Sequence, residues 1–299
     1  MAAAPDRTQR GTIFVEDAAV LSHQHLEAAQ HLLRLHAPET AACAQPGQFV
    51  HLSCDPQLPM RRPLSIMRAG DGWIDLLYKV VGQGTELLAR RTVGERLSLL
   101  GPIGQPFVLH PERPRPLLLG GGVGIPPMVF VAEALMKGQR ADQPAAWRPF
   151  VVMGSEVPFP FAARPSQIVV PGLPPAVTAC MPLLDDWGIP SRLASQQGYP
   201  GCFEGFVTDL ARAWLGSLAP AARAEVEVLA CGPTPMLRAV ARLAAELELP
   251  CQVSLEEHMA CAVGGCAGCA VEVTTPEGRH MKRVCVDGPV FDARSVFPA

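Results

Sequence analysis

The chain has 299 residues, 48% of them hydrophobic and 18% charged, with a formal net charge of −3. That length admits two or three domains, the composition excludes a disordered chain, and the charge gives no reason to expect nucleic acid or an anionic membrane as partner. No apolar run reaches transmembrane length and residues 1–11 hold no signal-like apolar core, so the ten cysteines are expected in the cytoplasm, reduced or bound to a metal cluster.

Residues 12–110 read as short strands with turn punctuation, at 12–20, 31–36, 48–54, 73–80 and 96–100, a pattern that fits an antiparallel β-barrel. Pro46-Gly47 is a turn feeding the third of these. Arg62-Pro63-Leu64-Ser65 follows on extended backbone. An arginine three residues before a hydroxyl can fork onto a phosphate while Ser65 reaches a neutral ring nitrogen. Taken alone, an ordinary surface arginine before a strand is the simpler account. Gly82-Gln83-Gly84-Thr85 shifts that balance. Two glycines spaced by one residue, opening a helical stretch at 86–90, make a backbone nest suited to a pyrophosphate. Gly101-Pro102-Ile103-Gly104 closes the segment with a rigid turn.

From about residue 114 the pattern becomes α/β. A short buried strand at 116–119 runs into Gly120-Gly121-Gly122-Val123-Gly124, and an apolar helix follows over 128–137. Glycines at a strand-to-helix turn let a dinucleotide approach the backbone, and the helix start favours its phosphates. The pattern is not the dinucleotide fingerprint, because position 125 is Ile, and a plain glycine-rich turn is an equal reading. A second strand at 149–153 ends near Glu156, an acid that could take ribose hydroxyls and repel a 2′-phosphate; a solvent-facing loop glutamate fits as well. Further strands are expected at 168–170, 177–180 and 226–230, with 216–224 as a surface connection. The last strand leads into Cys231-Gly232-Pro233 and a helix over 237–247.

The C-terminal stretch carries the strongest signal: Cys261, Cys266 and Cys269 in C-x4-C-x2-C spacing, then Cys285. Thiolates suit iron–sulfur clusters, and this spacing is that of a plant-type [2Fe–2S] loop with a later fourth ligand. The intervening residues are Ala, Val and Gly, small enough to wrap a cluster and turn N–H groups toward sulfur. A zinc ribbon would pair two C-x2-C knuckles, and only Cys266 and Cys269 form one.

Arg62-Pro63-x-Ser65, then Gly82-x-Gly84-Thr85, then Gly101-Pro102-x-Gly104 resembles the ferredoxin reductase-like FAD-binding barrel. The resemblance implies Arg62 at the FAD diphosphate, Ser65 near the flavin ring, and Gly82, Gly84 and Thr85 beside the diphosphate and ribityl chain. Cys231-Gly232-Pro233 is similar to the nicotinamide edge of the NAD domain in that family. Ser254-Leu255-Glu256-Glu257-His258-Met259 before the cysteines and Cys285-Val286-Asp287-Gly288-Pro289-Val290-Phe291 after them resemble the electron transfer subunits of class 1B dihydroorotate dehydrogenase. Gly205-Phe206-Val207-Thr208 extends that likeness, while Ser195-Gln196-Gln197-Gly198 stands where an acidic run is expected.

The implied architecture is multi-domain: an antiparallel β-barrel FAD domain (12–110), an α/β parallel-sheet NAD domain (111–250) and a small [2Fe–2S] cluster domain (251–299). The implied activity is electron transfer in pyrimidine biosynthesis, between an FMN-containing catalytic subunit and NAD+ by way of the cluster and FAD. No dihydroorotate site of its own is implied, and the expected assembly is a heterotetramer with two of each subunit. A reductase subunit for another partner, of the sulfide dehydrogenase, ferredoxin:NADP oxidoreductase or hydrogenase type, uses the same modules. A zinc- or flavin-binding regulatory module is the non-enzyme alternative.

Overall fold

The computed structural model describes residues 13–139 and 147–298. Residues 1–11, where no signal is expected, and Thr12 at the head of the first expected strand lie outside them. Six strands, Phe14–His25, Gln30–His36, Phe49–Leu52, Arg62–Gly70, Trp73–Lys79 and Arg96–Ile103, close into an antiparallel barrel. Alternation along each strand fills its interior, where Leu33, Leu35, Val50, Leu52, Ile74 and Leu76 are fully buried. On Phe49–Leu52 the alternate residues, Phe49 and His51, face the rest of the molecule and are buried too. The long Arg62–Gly70 strand is only hinted at in the sequence, because Pro63 and the two arginines break its alternation.

A seven-stranded sheet runs in the order Phe203–Glu204, Ser191–Ser195, Phe150–Gly154, Arg115–Gly121, Val226–Cys231, Cys251–Ser254 and Val290–Asp292. All pairs are parallel except the last, which is antiparallel. The segment after residue 250 therefore begins and ends as strands of the α/β sheet. Between those strands lie the cysteine loop and a two-stranded hairpin, Ala270–Thr275 with Gly278–Arg283.

The helix Ile125–Gln139 fixes the barrel against the sheet. Its Phe130 packs into the barrel core, and its Glu133 accepts a hydrogen bond from Arg68 of the barrel at 3.0 Å.

Two expectations are corrected. Residues 168–170 are not a strand; the Ile168 carbonyl instead accepts a bond from Arg192 at 2.7 Å. The strand at 177–180 shrinks to Ala179–Cys180. The connection at 216–224 lies at the surface as expected, and holds the end of the helix Val207–Ser217 and the short helix Pro220–Ala224. The Ser191–Ser195 strand had no readable alternation because Arg192 is buried, donating to the carbonyls of Val177, Ser191 and Ile168. No helix among the described residues is long and apolar enough to cross a membrane.

Two barrel histidines make the fold acid-sensitive. Burial, reinforced for His31 by His25 and His23 and for His51 by Arg61, pushes each ring down to about 4 from 6.5. A histidine whose folded pKa is depressed binds more protons when unfolded, so its stabilising contribution is complete above pH 6.5 and is lost as pH falls toward 4. Thermal unfolding followed from pH 7 to pH 4 is expected to give a falling midpoint across that window, and His31→Gln is expected to flatten the fall.

Candidate functional site: a cleft beside a four-cysteine loop

A cleft of about 560 Å³ opens between the barrel, the α/β sheet and the segment leading to the cysteine loop. The barrel supplies Phe49 and Arg62 through Ser65 on one side, with Lys79, Val81 and Thr85 beyond. The sheet supplies Cys231, and residues 254–259 close the third side.

Arg62 is held in a defined pose. Its Nη1 donates to the Met60 and Arg61 carbonyls at 2.8 and 3.2 Å, which leaves the Nε–Nη2 edge of the guanidinium free. The Nε–Nη2 side, which makes no hydrogen bond, lies against Gly84, where an added Cβ would be 2.5 Å from Nε and 2.8 Å from Nη2. Thr85 serves the local turn: its hydroxyl accepts from the Val81 N–H at 3.0 Å and donates to the Gly82 carbonyl at 2.9 Å. This ties the extended backbone at Gly82 to the start of the helix Gln83–Leu88. The Ser65 hydroxyl has no hydrogen-bond partner among the described residues.

The glycine-rich turn and the Cys231-Gly232-Pro233 turn meet at backbone distance. Gly120 lies opposite Cys231 in the parallel register, and a Cβ on Gly124 would sit 2.1 Å from the Cys231 carbonyl oxygen. A Cβ on Gly121 would be 2.4 Å from Met236 Sδ. Gly122 takes the left-handed backbone (φ 55°) at the head of the short turn into the helix. Pro233 directly precedes the helix Thr234–Glu246.

The Cys231 thiol is pushed up by burial and by the nearby Glu256 carboxylate, with Ser254 opposing, so it stays protonated at neutral pH. Glu256 reaches into the cleft, and crowding by the walls pushes its carboxyl up although part of the residue stays open to solvent. The expected acid Glu156 lies exposed after the Phe150–Gly154 strand, beside a turn in which Ser195 Oγ donates to the Ser155 carbonyl at 2.7 Å.

The four cysteines gather at the far side of Phe49, as two pairs. The Cys266 N–H points at Cys261 Sγ (3.4 Å), and the Cys285 N–H points at Cys269 Sγ (3.5 Å). Ala262, Gly264 and Ala267 all take the left-handed backbone that turns the loop's N–H groups inward. Burial raises the Cys261 thiol, but the N–H groups of Val263, Cys266 and Gly265 outweigh it and bring it down to about 7. Burial and the adjacent Cys269 push Cys285 up to about 12.

Among the described residues, no three side chains converge as they would on one metal ion. A two-by-two arrangement fits a cluster whose two irons each take two thiolates better than it fits a single tetrahedral zinc. In cluster-free protein, alkylation of Cys261 is expected to rise with a midpoint near pH 7, and peptide mapping after iodoacetamide treatment at stepped pH measures it.

Cys269 and Cys285 are buried against Phe49 and Ile103 of the barrel, whereas Cys266 is exposed. Phe49 lines the cleft and also belongs to the cysteine core. Sequence reasoning missed Phe49, Lys79 and Glu256. Each comes from a different element; Glu256 lies in the 254–259 stretch that carried the family likeness, but no role was read for it there.

A family model described as the iron–sulfur cluster binding domain of dihydroorotate dehydrogenase B matches residues 256–297. Among curated relatives, the dihydroorotate dehydrogenase B (NAD(+)) electron transfer subunit of Bacillus caldolyticus is 36% identical over 262 residues, covering 84% of this chain and 86% of its own. The subunit of the same name from Desulforamulus reducens is 31% identical over 288 residues, covering 94% and 98%. Among solved structures, the NADH-dependent reduced ferredoxin-NADP oxidoreductase superposes with a TM-score of 0.73 at 25% identity, covering 94% of this chain and 90% of that one. The ferredoxin reductase of carbazole 1,9a-dioxygenase shares the fold, at a TM-score of 0.58 and 23% identity over 80% and 67% of the two chains.

Proposed function

The chain belongs to the family of dihydroorotate dehydrogenase B electron transfer subunits, and from that premise we propose that it carries electrons from a dihydroorotate-oxidising catalytic subunit to NAD+. The observation that carries this reading is the shared position of Phe49, one wall of the cleft and one face of the cysteine core. FAD and a [2Fe–2S] cluster, when bound, supply the exchange between single electrons and a hydride.

This chain's residues bind and orient. Arg62 lines the cleft with its Nε and Nη2 unbonded and would hold the diphosphate, and the absence of a side chain at Gly84 leaves room for its guanidinium. Gly82, Gly84 and Thr85 would hold the diphosphate and ribityl chain, while Pro63 and Leu64 keep Arg62 and Ser65 on one strand. The Ser65 hydroxyl is available to the flavin ring. The Gly120–Gly124 turn receives the nicotinamide dinucleotide against Cys231-Gly232-Pro233, with the protonated Cys231 thiol as a neutral wall. Glu156 takes the adenosine ribose and disfavours a 2′-phosphate.

Cys261 with Cys266 would hold one iron of the cluster, and Cys269 with Cys285 the other. The exposed Cys266 side faces the partner, and the buried side faces the barrel. We take the partner to carry FMN and the assembly to be a cytoplasmic heterotetramer with two of each subunit.

Mixing the loaded chain with a dihydroorotate dehydrogenase B catalytic subunit is expected to give NAD+ reduction matched one for one by orotate. NADH oxidation by artificial acceptors with no such coupling, under conditions where the two chains co-elute, would assign the chain to another partner.

A further inference from the structure

The cysteine loop is held at its midpoint by a side chain from the hairpin. Gly264 lies between Cys261 and Cys266 on left-handed backbone (φ 79°), and its carbonyl accepts a hydrogen bond from Arg283 Nη1 at 3.0 Å. Arg283 ends the hairpin strand Gly278–Arg283, opposite Ala270 and just before Val284 and Cys285. Asp287 fixes the arginine in turn. One of its carboxylate oxygens, Oδ2, accepts from the Arg283 backbone N–H at 2.8 Å and from Arg283 Nε at 3.2 Å. The Asp287 N–H donates back to the Arg283 carbonyl at 2.8 Å, closing a turn that contains Cys285. The seat is close-fitting: a Cβ on Gly264 would lie 3.1 Å from Arg283 Nη1 and 3.0 Å from Val286 Cγ2.

This bond joins the two halves of the cysteine site. Gly264 belongs to the stretch carrying Cys261 and Cys266, and Arg283 leads to Cys285, which pairs with Cys269. A hydrogen bond from a charged donor is stronger than a neutral one. The guanidinium also sets a positive charge against the loop, with the Asp287 carboxylate paired to it. Reduction adds negative charge to an iron–sulfur cluster, and net charge and hydrogen bonding around a cluster set its potential. A nearby cation therefore favours the reduced form and a nearby anion the oxidised form. Both side chains are partly open to solvent, which screens this effect without abolishing it. Resting on the electron-transfer reading above, we propose that Arg283 is a positioning residue of the cluster site. It clamps the Gly264 carbonyl to the strand that carries Cys285, and its charge, balanced by Asp287, sets how readily the cluster accepts an electron.

The test uses the full chain loaded with FAD and cluster, and compares Arg283→Met, Arg283→Lys and Asp287→Asn. Asp287→Asn keeps an oxygen to accept the Arg283 bonds and removes the charge. The cluster midpoint is read by anaerobic titration with dithionite and redox dyes. Arg283→Met is expected to shift the reduction equilibrium about tenfold toward the oxidised cluster, about 59 mV for one electron. Asp287→Asn is expected to shift it the opposite way, and Arg283→Lys to stay within about twofold of the parent. Amide hydrogen exchange across residues 262–266 is expected to be about tenfold faster in Arg283→Met and near the parent rate in Asp287→Asn.

Loss of packing alone would move Arg283→Met and Asp287→Asn in the same direction, and that result would overturn the charge assignment. An unchanged potential in Arg283→Met, or one that falls equally in Arg283→Lys, would overturn it too. Unchanged exchange in Arg283→Met would overturn the clamp. If Arg283→Met does not retain the cluster, Asp287→Asn carries the potential readout, and a potential that is unchanged or lower there overturns the assignment. A parent chain that takes up no cluster on reconstitution would instead overturn the electron-transfer reading, and exchange measured on that chain would still decide the clamp.

Discussion

Cys269→Ser protein is expected to bind FAD and oxidise NADH with artificial acceptors at the parent rate, yet to lose partner-coupled turnover by more than about a hundredfold. Hydrogen-bond changes around metal ligands alone cost up to about that factor, and this change removes a ligand. Cys269 is 3% exposed and packs with Cys285, Val284 and Ala262 against Phe49 and Ile103. A serine there places a poor ligand on the buried side of the loop, the side toward the cleft. Arg62, Ser65 and Thr85 of the flavin site lie on the barrel, outside the cysteine loop. Iron content and visible absorption measure the loss of cluster, and coupled NADH formation measures the function. Equal coupling with a stoichiometric cluster would show that another residue holds that iron.

Gly124→Ala is expected to have the second largest effect, on nicotinamide nucleotide binding and on stability together. The added methyl would lie 2.1 Å from the Cys231 carbonyl oxygen, 2.3 Å from its carbon and 2.5 Å from the Gly232 nitrogen. All three are backbone atoms of a central strand and its turn, so nothing flexible can move aside. Overpacking of this kind costs about 1–3 kcal/mol, and here relief requires parting the two turns that face the dinucleotide. Chemical denaturation is expected to show a loss of that size, and the NADH concentration for half-maximal flavin reduction is expected to rise at least about tenfold. The FAD spectrum is expected to be unchanged, since Gly124 lies outside the barrel. Gly138→Ala, near the end of the helix that follows this turn and with nothing within 4 Å of the new methyl, is the control.

The parts of this site that were legible in the sequence are those whose chemistry is local. The cysteine spacing, the glycines of the two turns and the Arg62–Ser65 pair each fit within a few residues, so their meaning survives without tertiary context. Phe49 did not read as functional because its double role depends on which face of the barrel strand meets the cysteine loop. Gly104 read as part of a closing turn, but its lack of a side chain also serves a distant contact: a Cβ there would lie 2.4 Å from Pro289 Cδ, where the end of the cluster segment seats on the barrel. The Ser191–Ser195 strand was hidden by a buried arginine that satisfies three carbonyls. The strands Cys251–Ser254 and Val290–Asp292 are too short to stand out, and they are strands because the sheet edge is there to pair with.

The central claim is that one chain holds a flavin and a two-iron cluster in electronic contact. A visible spectrum of anaerobically purified protein, taken before and after NADH is added, tests it most directly. Flavin bands superposed on broad iron–sulfur absorption, both bleached by NADH, are the predicted result. A flavin that bleaches while the cysteines carry zinc or nothing after reconstitution, or a protein whose spectrum NADH leaves unchanged, would contradict it.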